Sequence, residues 1–358
     1  MYDFSGVTRG IHEFLSGHFS PLGVTLWEMV IAGVVLLLSL VLIAFTLGYM
    51  ERKVAAFMQL RLGPNRVGFR GTLQIVADTL KLLFKETFVP QAADKMLFNL
   101  APIIMVVVTM LSLAPIPFTE TLQFYDMNIG VFYVSAVTSI GVVGILMAGW
   151  SSNNKYSLLG AMRSGAQIVS YELSAGLSII VIVALSGSMQ FSEIVQSQAN
   201  GWWIFKGHIP VWIAFVVFLI AGTAELNRAP FDMAEAESEL TAGFHTEYPG
   251  MRFAMFLLAE YLNMFILAAI GATLFLGGWM PLHIGNLEGF NKVMDFIPPL
   301  VWFMGKTFLI VFIIMWFRWT FPRLRIDQLL TLEWKFLMPI SLVNLILVAL
   351  AVILGLHF

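Results

Sequence analysis

The densest group of chemically active side chains lies between residues 225 and 247. It holds six carboxylates around Arg228, namely Glu225, Asp232, Glu235, Glu237, Glu239 and Glu247. If residues 235–239 are helical, Glu235 and Glu239 share a face, where like charges repel and a shared proton relieves the repulsion. Carboxylates this close together can hold and pass protons near neutral pH, which predicts a proton-transfer site. A solvated acidic loop is the alternative interpretation.

Two further carboxylates, Glu172 and Glu260, interrupt long apolar runs, and Glu225 ends a third run. Leaving a charge at the centre of a bilayer costs at least about 2.5–3.5 kcal/mol, so ionisable residues in such runs usually have a function. If neighbouring helices carry these side chains, water could link them into a proton path. The alternative is a protonated carboxyl group that only hydrogen-bonds one helix to another.

The elements that must position these side chains are membrane-spanning helices. The chain has 358 residues, of which 59% are hydrophobic and 12% charged, and its mean hydropathy of +0.84 is far above that of soluble domains. Its apolar runs are continuous, without the alternation of a membrane barrel. We therefore predict an all-α polytopic bundle that forms a single integral membrane domain over residues 1–358. The predicted spans are about 25–48, 97–117, 129–150, 166–187, 209–227, 252–276, 299–319 and 336–356.

The basic residues are distributed unevenly between the two sides of this predicted bundle. Fifteen of the 20 Lys and Arg residues fall in the connections after the first, third, fifth and seventh spans, whereas the opposite side holds only Arg9, Lys206 and Lys292. The positive-inside rule makes the basic side cytoplasmic. Both termini are therefore predicted to lie outside, and the acidic loop 228–251 is predicted to be cytoplasmic.

A short amphipathic helix is predicted over residues 72–86. Gln74, Asp78, Lys81 and Lys85 share one face, and leucine, valine and phenylalanine side chains cover the other. About 15 residues give a helix of roughly 22 Å, which is too short to span a bilayer. We expect it to lie along the membrane interface, either as the floor of an entrance for an amphiphilic ligand or as an ordinary connector.

Several chemistries are excluded by composition. The chain has no cysteine, so it has no disulfide, no Cys-ligated iron–sulfur cluster and no thiol catalysis. It also lacks a glycine-rich nucleotide fingerprint or a phosphate loop, and its formal charge of -2 gives no bias toward nucleic acid. We therefore expect no flavin, cluster or metal in this chain and no nucleic-acid partner, but contact with membrane lipid.

Two segments carry a resemblance to a known family. Residues 48–68, GYMERKVAAFMQLRLGPNRVG, closely resemble the sequence after the first helix of membrane subunit 1 of respiratory complex I, which is called the H subunit in bacteria. Residues 224–248 resemble the second signature of that family, and the similar order of spans extends the resemblance over nearly the whole chain. The length and the eight spans resemble a bacterial member more than a mitochondrial one, which implies the bacterial inner membrane, with both termini periplasmic.

The resemblance implies a quinone substrate, bound at the interface with partner subunits. Those partners are soluble quinone-site subunits that carry the terminal iron–sulfur cluster, adjacent small membrane subunits and antiporter-like subunits. By analogy, Arg52, Arg61 and Asp78 lie near the polar end of the quinone passage, and the ring contacts aromatic side chains. The quinone-binding candidates are Glu51, Arg52, Phe57, Arg61, Asp78 and Phe244. For residues 51–53 the alternative is an anchor that binds lipid headgroups.

The same resemblance implies that the carboxylates relay the effect of quinone reduction toward the pumping subunits, as part of a proton-translocating NADH:quinone oxidoreductase. The proton-coupling candidates are Glu172, Glu225, Arg228, Asp232, Glu235, Glu237, Glu239, Glu247 and Glu260. His245 could also titrate near neutrality, although a lone loop histidine is more often incidental. Two alternatives remain open: a membrane subunit of an energy-converting hydrogenase or ferredoxin-linked complex, and a stand-alone ion transporter.

Overall fold

The computed structural model describes residues 5–199, 201–234, 237–283 and 288–355. All regular structure in these ranges is helical. Within the part of the chain that the structure describes, eight helices are long and apolar enough to cross a bilayer. The predicted all-α polytopic helical bundle is therefore confirmed.

The helices are numbered here in chain order. They are α1 (Ser5–Ser16), α2 (Pro21–Met58), α3 (Gln74–Phe84), α4 (Lys95–Leu113), α5 (Gly130–Ser151), α6 (Lys155–Ser186), α7 (Phe191–Gln196), α8 (Trp203–Lys206), α9 (His208–Glu225), α10 (Glu237–Leu240), α11 (Gly250–Phe275), α12 (Glu288–Asp295), α13 (Pro299–Thr320), α14 (Ile326–Leu332) and α15 (Met338–Ile353). The eight candidate spans are α2, α4, α5, α6, α9, α11, α13 and the continuous run Ile326–Ile353, in which a π-helical turn, Glu333–Leu337, joins α14 to α15.

Helix α11 lies at the centre of the bundle. Every residue from Met264 to Phe275 is buried, and the helix packs against α2, α4, α9 and α13. A helix that is apolar on all sides is buried, either among other helices or in lipid, and α11 is buried among other helices. The fixed position of α11 matters because its first half carries Glu260.

Glycines allow close packing where the site is built. A Cβ at Gly222 of α9 would lie 2.5 Å from a methyl carbon of Leu267 in α11, and a Cβ at Gly160 of α6 would lie 2.9 Å from the carbonyl oxygen of Ala234. Small residues let helix backbones approach each other in membrane bundles. The first contact brings α9 against α11, and the second lets the loop after α9 pack directly on α6.

Several helices have bounds that differ from the predicted spans, and local sequence explains the difference in three of them. Helix α2 continues ten residues past the predicted end at 48, because Glu51, Arg52 and Lys53 end the apolar run but are themselves good helix formers. Helix α6 begins at Lys155 rather than 166, where the Asn154 side chain accepts a hydrogen bond from the Tyr156 amide. Helix α4 ends at Leu113, close to Pro115.

The amphipathic helix predicted over 72–86 is α3. It packs against α2 and α11, while Leu80, Leu83 and Phe84 expose about half or more of their surface on its other side, at 47%, 50% and 87%. Exposed apolar side chains of this kind fit a helix that lies against lipid. Its location at the membrane interface stays a prediction.

Candidate functional site

A buried ion cluster links three parts of the chain through Arg228. The Arg228 guanidinium is only 3% exposed and lies 2.7 Å (Nη1) from Glu51 Oε2 of α2 and 2.6 Å (Nε) from Glu260 Oε1 of α11. Arg318 of α13 donates a hydrogen bond to the other oxygen of Glu51. Two arginines thus neutralise two glutamates, which satisfies the requirement that buried charges be paired.

The end of α9 directs Arg228 into this cluster. The helix ends at Glu225, and Asn227 has a φ of 51°, in the left-handed region that asparagine tolerates better than most residues. The chain therefore turns sharply, and Arg228 points back into the bundle. Burial by itself would lower the pKa of Arg228, but the nearby Glu260 and Glu51 carboxylates outweigh it and raise the pKa above its ordinary value.

A second ion pair joins α2 to α3. Arg52 Nη1 donates a hydrogen bond to Asp78 Oδ2 at 2.5 Å, and Gln74, one turn earlier in α3, donates to Asp78 Oδ1 at 3.0 Å. Partial burial would raise the pKa of Asp78, but the hydrogen bonds from Arg52 and Gln74 and the charges of Arg52 and Lys81 together lower it. This pair fixes the orientation of the amphipathic helix relative to α2.

Three of the predicted proton-coupling carboxylates line one cavity of about 700 Å³. They are Glu172 of α6, Glu225 of α9 and Glu260 of α11. The rest of the wall is mainly apolar and comes from α5, α6, α11 and α15, with Asn227, His245 and Asn263 as further polar side chains. The Ser139 hydroxyl of α5 donates a hydrogen bond to Glu172. Glu260 belongs to both features, because it faces the cavity and also pairs with Arg228.

The other acidic residues after α9 have separate partners. Asp232 pairs with Arg323 at 2.7 Å, Glu239 pairs with Arg163 at 2.7 Å, and Glu247 accepts a hydrogen bond from the Asn154 amide at 2.6 Å. Glu235 lies outside the described residues, and Glu237 is described only through its backbone at the start of α10. The predicted contact between Glu235 and Glu239 therefore stays a prediction.

The predicted quinone-binding residues occupy different surroundings. Glu51 is 6% exposed inside the ion cluster, and Arg52 pairs with Asp78. Phe57 is 72% exposed on α2, and Arg61 is exposed just beyond the end of that helix. Phe244 lies on the cavity wall, edge-to-face against Phe256 with ring centroids 5.5 Å apart.

Several residues of the site are not predicted from the sequence. Arg318 and Ser139, which contact Glu51 and Glu172, are two of them. An arginine in the last turn of an apolar helix is a signal that could have indicated Arg318. Ser139 gives no such signal, because serine is common in membrane helices and its partner is 33 positions away in the sequence.

Burial lowers the pKa of His245 from its ordinary 6.5 to about 4. The imidazole is therefore neutral at pH 7. Its ring packs on Phe244 and Phe253, with centroids 4.9 and 5.3 Å away. As the pH falls, His245 is protonated near pH 6.5 in the unfolded chain but only near pH 4 in the folded protein. The folded state therefore loses stability between pH 6.5 and about 4.

We expect this histidine to contribute about 2 kcal/mol to the loss of stability between about pH 7.5 and about pH 5, because about 1.5 pH units of that range lie below the unfolded pKa of 6.5 and each corresponds to about 1.4 kcal/mol. The measurement is the thermal midpoint of the assembled protein at about pH 7.5 and about pH 5, for the wild type and for His245→Gln. The variant should show a smaller drop. An equal drop in both proteins would contradict the assignment.

Comparisons with known proteins identify the family. A model of the family described as NADH dehydrogenase matches residues 31–349. The H subunit of the NADH-quinone oxidoreductase of Bacteroides fragilis is 60% identical over 359 residues, covering 100% of both chains, and that of Bacteroides thetaiotaomicron is 59% identical over 358 residues, with the same coverage. The H subunit of Brevibacillus brevis is 50% identical over 331 residues, which cover 92% of this chain and 94% of that protein. The eight apolar helices and these matches over the full chain show that it belongs to the NADH dehydrogenase family, as a multi-pass membrane protein of the same type as the H subunits of NADH-quinone oxidoreductase.

Proposed function

We propose that this chain forms part of the quinone chamber of its complex and transmits the effect of quinone reduction to proton translocation. The observation that carries the proposal is the double contact of Glu260. Its carboxylate pairs with Arg228 in the ion cluster and also faces the cavity lined by Glu172 and Glu225. A change of charge near the cluster therefore acts directly on the group that faces the cavity.

The quinone side of the proposal rests on α2 and α3. Arg52 and Asp78 form a partly exposed polar pair beside the apolar surface of α3, which suits a ligand with a polar head and an apolar tail. The chain has no cysteine that could ligate an iron–sulfur cluster, and we propose that the electrons come from a cluster on a partner subunit. The soluble quinone-site subunits, the small membrane subunits and the antiporter-like subunits are the partners proposed.

The coupling side rests on electrostatics in a water-poor environment. Reduction brings negative charge to a neutral quinone, and protons must neutralise it. In an apolar site such a charge acts on neighbouring ionised groups more strongly than it would in water. Glu51 and Glu260 both form ion pairs with Arg228. A new negative charge that attracts this arginine therefore weakens both ion pairs. A proton taken up by Glu260 then changes the charge on the cavity wall.

The quinone site is tested by Arg52→Ala. Loss of the guanidinium removes the partner of Asp78 and the polar contact proposed for the quinone head. We expect quinone-dependent turnover to fall on the order of tenfold, the size of one lost charge-assisted hydrogen bond of about 1.4 kcal/mol. NADH oxidation by an artificial hydrophilic acceptor should stay at the wild-type rate. Equal loss of both activities in an intact complex would reject the proposal.

A matched control for this test is Lys53→Ala. Lys53 is the neighbouring base on α2 and contacts the ring of Tyr49, at 5.6 Å from its centroid. If residues 51–53 only anchor the chain to lipid headgroups, both variants should behave alike. A specific loss in Arg52→Ala supports the quinone role.

We further propose the bacterial inner membrane as the location, with both termini in the periplasm. The support is the excess of Lys and Arg in the odd-numbered connections. A reporter fused after Phe358 should be active on the periplasmic side, and a reporter fused in the connection between α5 and α6 should be cytoplasmic. A cytoplasmic signal from the C-terminal fusion would overturn the orientation.

A further inference from the structure

A buried carboxyl group lies outside the cluster and the cavity described above. Glu333 is only 1% exposed. The Ser174 hydroxyl of α6 donates a hydrogen bond to Glu333 Oε1, whereas Glu333 Oε2 is buried and has no hydrogen-bond partner among the described residues. The ion pairs of the described residues do not include this glutamate.

An ionised carboxylate in such surroundings would be unfavourable. Burying an isolated charge costs far more than one hydroxyl hydrogen bond returns, and a group without a cation takes up a proton instead. With Oε1 already accepting from Ser174, the proton belongs on Oε2. These surroundings favour the neutral acid over the carboxylate.

The local backbone directs this side chain inward. Residues Glu333–Leu337 form a π-helical turn between α14 and α15, in which the Met338 amide bonds the Glu333 carbonyl oxygen. Trp334 and Phe336 in this turn are exposed, at 51% and 55%, while Glu333 is buried. Single π turns within α-helices occur frequently at functional sites.

A polar face of α6 leads from this acid to the loop after α9. We define it by Ser164, Gln167, Tyr171 and Ser174, whose spacings of three, four and three residues place them on one side of the helix. All four are buried. From Ser164 to Ser174 the helix rises about 15 Å. Polar side chains of this kind commonly form hydrogen bonds between membrane helices.

Each member of this polar face has a hydrogen-bond partner. The Ser164 hydroxyl bonds Asn227 Oδ1 at 3.2 Å, and Gln167 Nε2 donates to the carbonyl oxygens of Ala224 and Phe231 at 2.7 and 2.8 Å. The Tyr171 hydroxyl donates to the carbonyl oxygen of Leu329 at 2.9 Å. One end of the face therefore touches Asn227, which also lines the cavity, and the other end touches Glu333.

Glu333 is distinct from the cavity carboxylates. Glu172 lies two residues before Ser174, so the two side chains point to nearly opposite sides of α6. Tyr171 is the titratable group beside Glu333. Lys335 of the same turn is exposed, and α9, which packs on this region, carries ionisable residues only at its ends, His208 and Glu225.

We propose that Glu333 is a second proton-binding site, which exchanges its proton with the loop after α9 along the polar face of α6. In this exchange the O–H bond at Oε2 breaks as its proton passes to a water molecule that enters along the polar face, which leaves a carboxylate and a hydronium ion. A proton returned by the same water restores the neutral acid. A role of this proton in pumping rests on the proposed function. The presence of the proton on Glu333 and the route of its exchange are independent of that function.

The test uses infrared spectra of the whole purified complex in H2O and D2O. A protonated carboxyl group gives a C=O band that moves on deuteration, whereas an ionised carboxylate gives none in that region. We expect the wild type to contain one such band that is completely lost in Glu333→Gln and in Glu333→Leu. In Ser174→Ala the band should persist at a changed frequency, because its hydrogen bond is gone.

Glu239→Gln is the matched control, because Glu239 is exposed and paired with Arg163 and should contribute no protonated band. If Glu333→Gln and the wild type have the same spectrum in this region, Glu333 is ionised and the proposal is overturned. The readout needs neither quinone nor pumping, so it stands or falls separately from the proposed coupling. NADH oxidation by a hydrophilic acceptor checks that each variant is assembled.

The route is tested by Tyr171→Phe, which keeps the ring and removes the hydroxyl from the middle of the polar face. We expect the band of Glu333 to be present but to exchange with D2O more slowly than in the wild type. Tyr156→Phe, in an exposed position on the same helix, should leave the exchange rate unchanged. An unchanged rate in Tyr171→Phe would overturn the proposed route.

Discussion

Arg228→Met is expected to destabilise this protein by about 3–5 kcal/mol, the usual result of removing one partner from a buried ion pair. Arg228 neutralises both Glu51 and Glu260. Without it, Glu51 retains Arg318, but Glu260 keeps no cation within salt-bridge distance among the described residues. Methionine fills a similar volume, so the loss reflects the missing charge more than a cavity.

The measurement is the thermal midpoint of the purified complex and the fraction of the chain that assembles. Arg163→Met is the matched control, since Arg163 pairs with an exposed carboxylate. This substitution should lower the free energy of unfolding by less than about 1 kcal/mol. The double variant Arg228→Met with Glu260→Gln should recover part of the stability, because the second change removes an unpaired charge. Similar midpoints for Arg228→Met and Arg163→Met would contradict the importance assigned to the cluster.

The fold was predictable because bilayer-spanning helices leave a strong signal. Continuous apolar runs and the placement of Lys and Arg indicate eight spans, and eight candidate helices are observed among the described residues. The ends were less predictable where helix propensity and hydropathy disagree. Hydropathy ends the first span before Glu51, whereas the helix extends to Met58, because charged residues with high helix propensity continue it.

The sequence indicated which residues belong to the candidate site, but not which of them contact each other. Glu51 and Arg52 are adjacent and are both predicted to bind quinone, yet adjacent residues on a helix point about 100° apart. Glu51 is directed into the bundle toward Arg228, and Arg52 is directed toward Asp78. Local sequence contains no information on this pairing, because Arg228 lies 177 residues away from Glu51.

The acidic stretch after α9 illustrates the same limit. The repulsion predicted between Glu235 and Glu239 stays a prediction. Asp232 and Glu239 contact arginines from the α13–α14 connection and α6, and Glu247 contacts Asn154. Each partner belongs to an element far away in sequence. Among the described residues of this stretch, only the Glu225 carboxylate lines the cavity, together with two carboxylates from other helices. The sequence of this stretch therefore does not indicate which partners its described acids contact.

Glu225→Gln is expected to reduce quinone reduction and proton pumping together by about tenfold or more, because a positioned proton-transfer group typically contributes more than this to a rate. Glutamine keeps the shape and can keep hydrogen bonds, but it cannot take up and release a proton. Assembly should persist, since Glu225 is not part of the Arg228 cluster. Both activities are to be measured on the same reconstituted preparation.

The matched control is Glu239→Gln, an exposed acid of the same stretch that pairs with Arg163 and does not line the cavity. It should change stability by no more than about 0.5 kcal/mol and leave turnover close to the wild-type rate. If the acidic stretch works as a whole through its charge, the two variants should lose activity to a similar degree. Wild-type turnover and pumping in Glu225→Gln would exclude the cavity as the coupling path.

Glu172→Gln separates one shared path from two independent ones. Glu172 and Glu225 face the same cavity from α6 and α9. If protons pass both groups in series, each single variant blocks the path, and the double variant should lose little more than either single one. If the two groups act independently, the free-energy changes of the two substitutions add, and the two losses of rate multiply. A double variant with the product of the two single losses would therefore contradict a common path through this cavity.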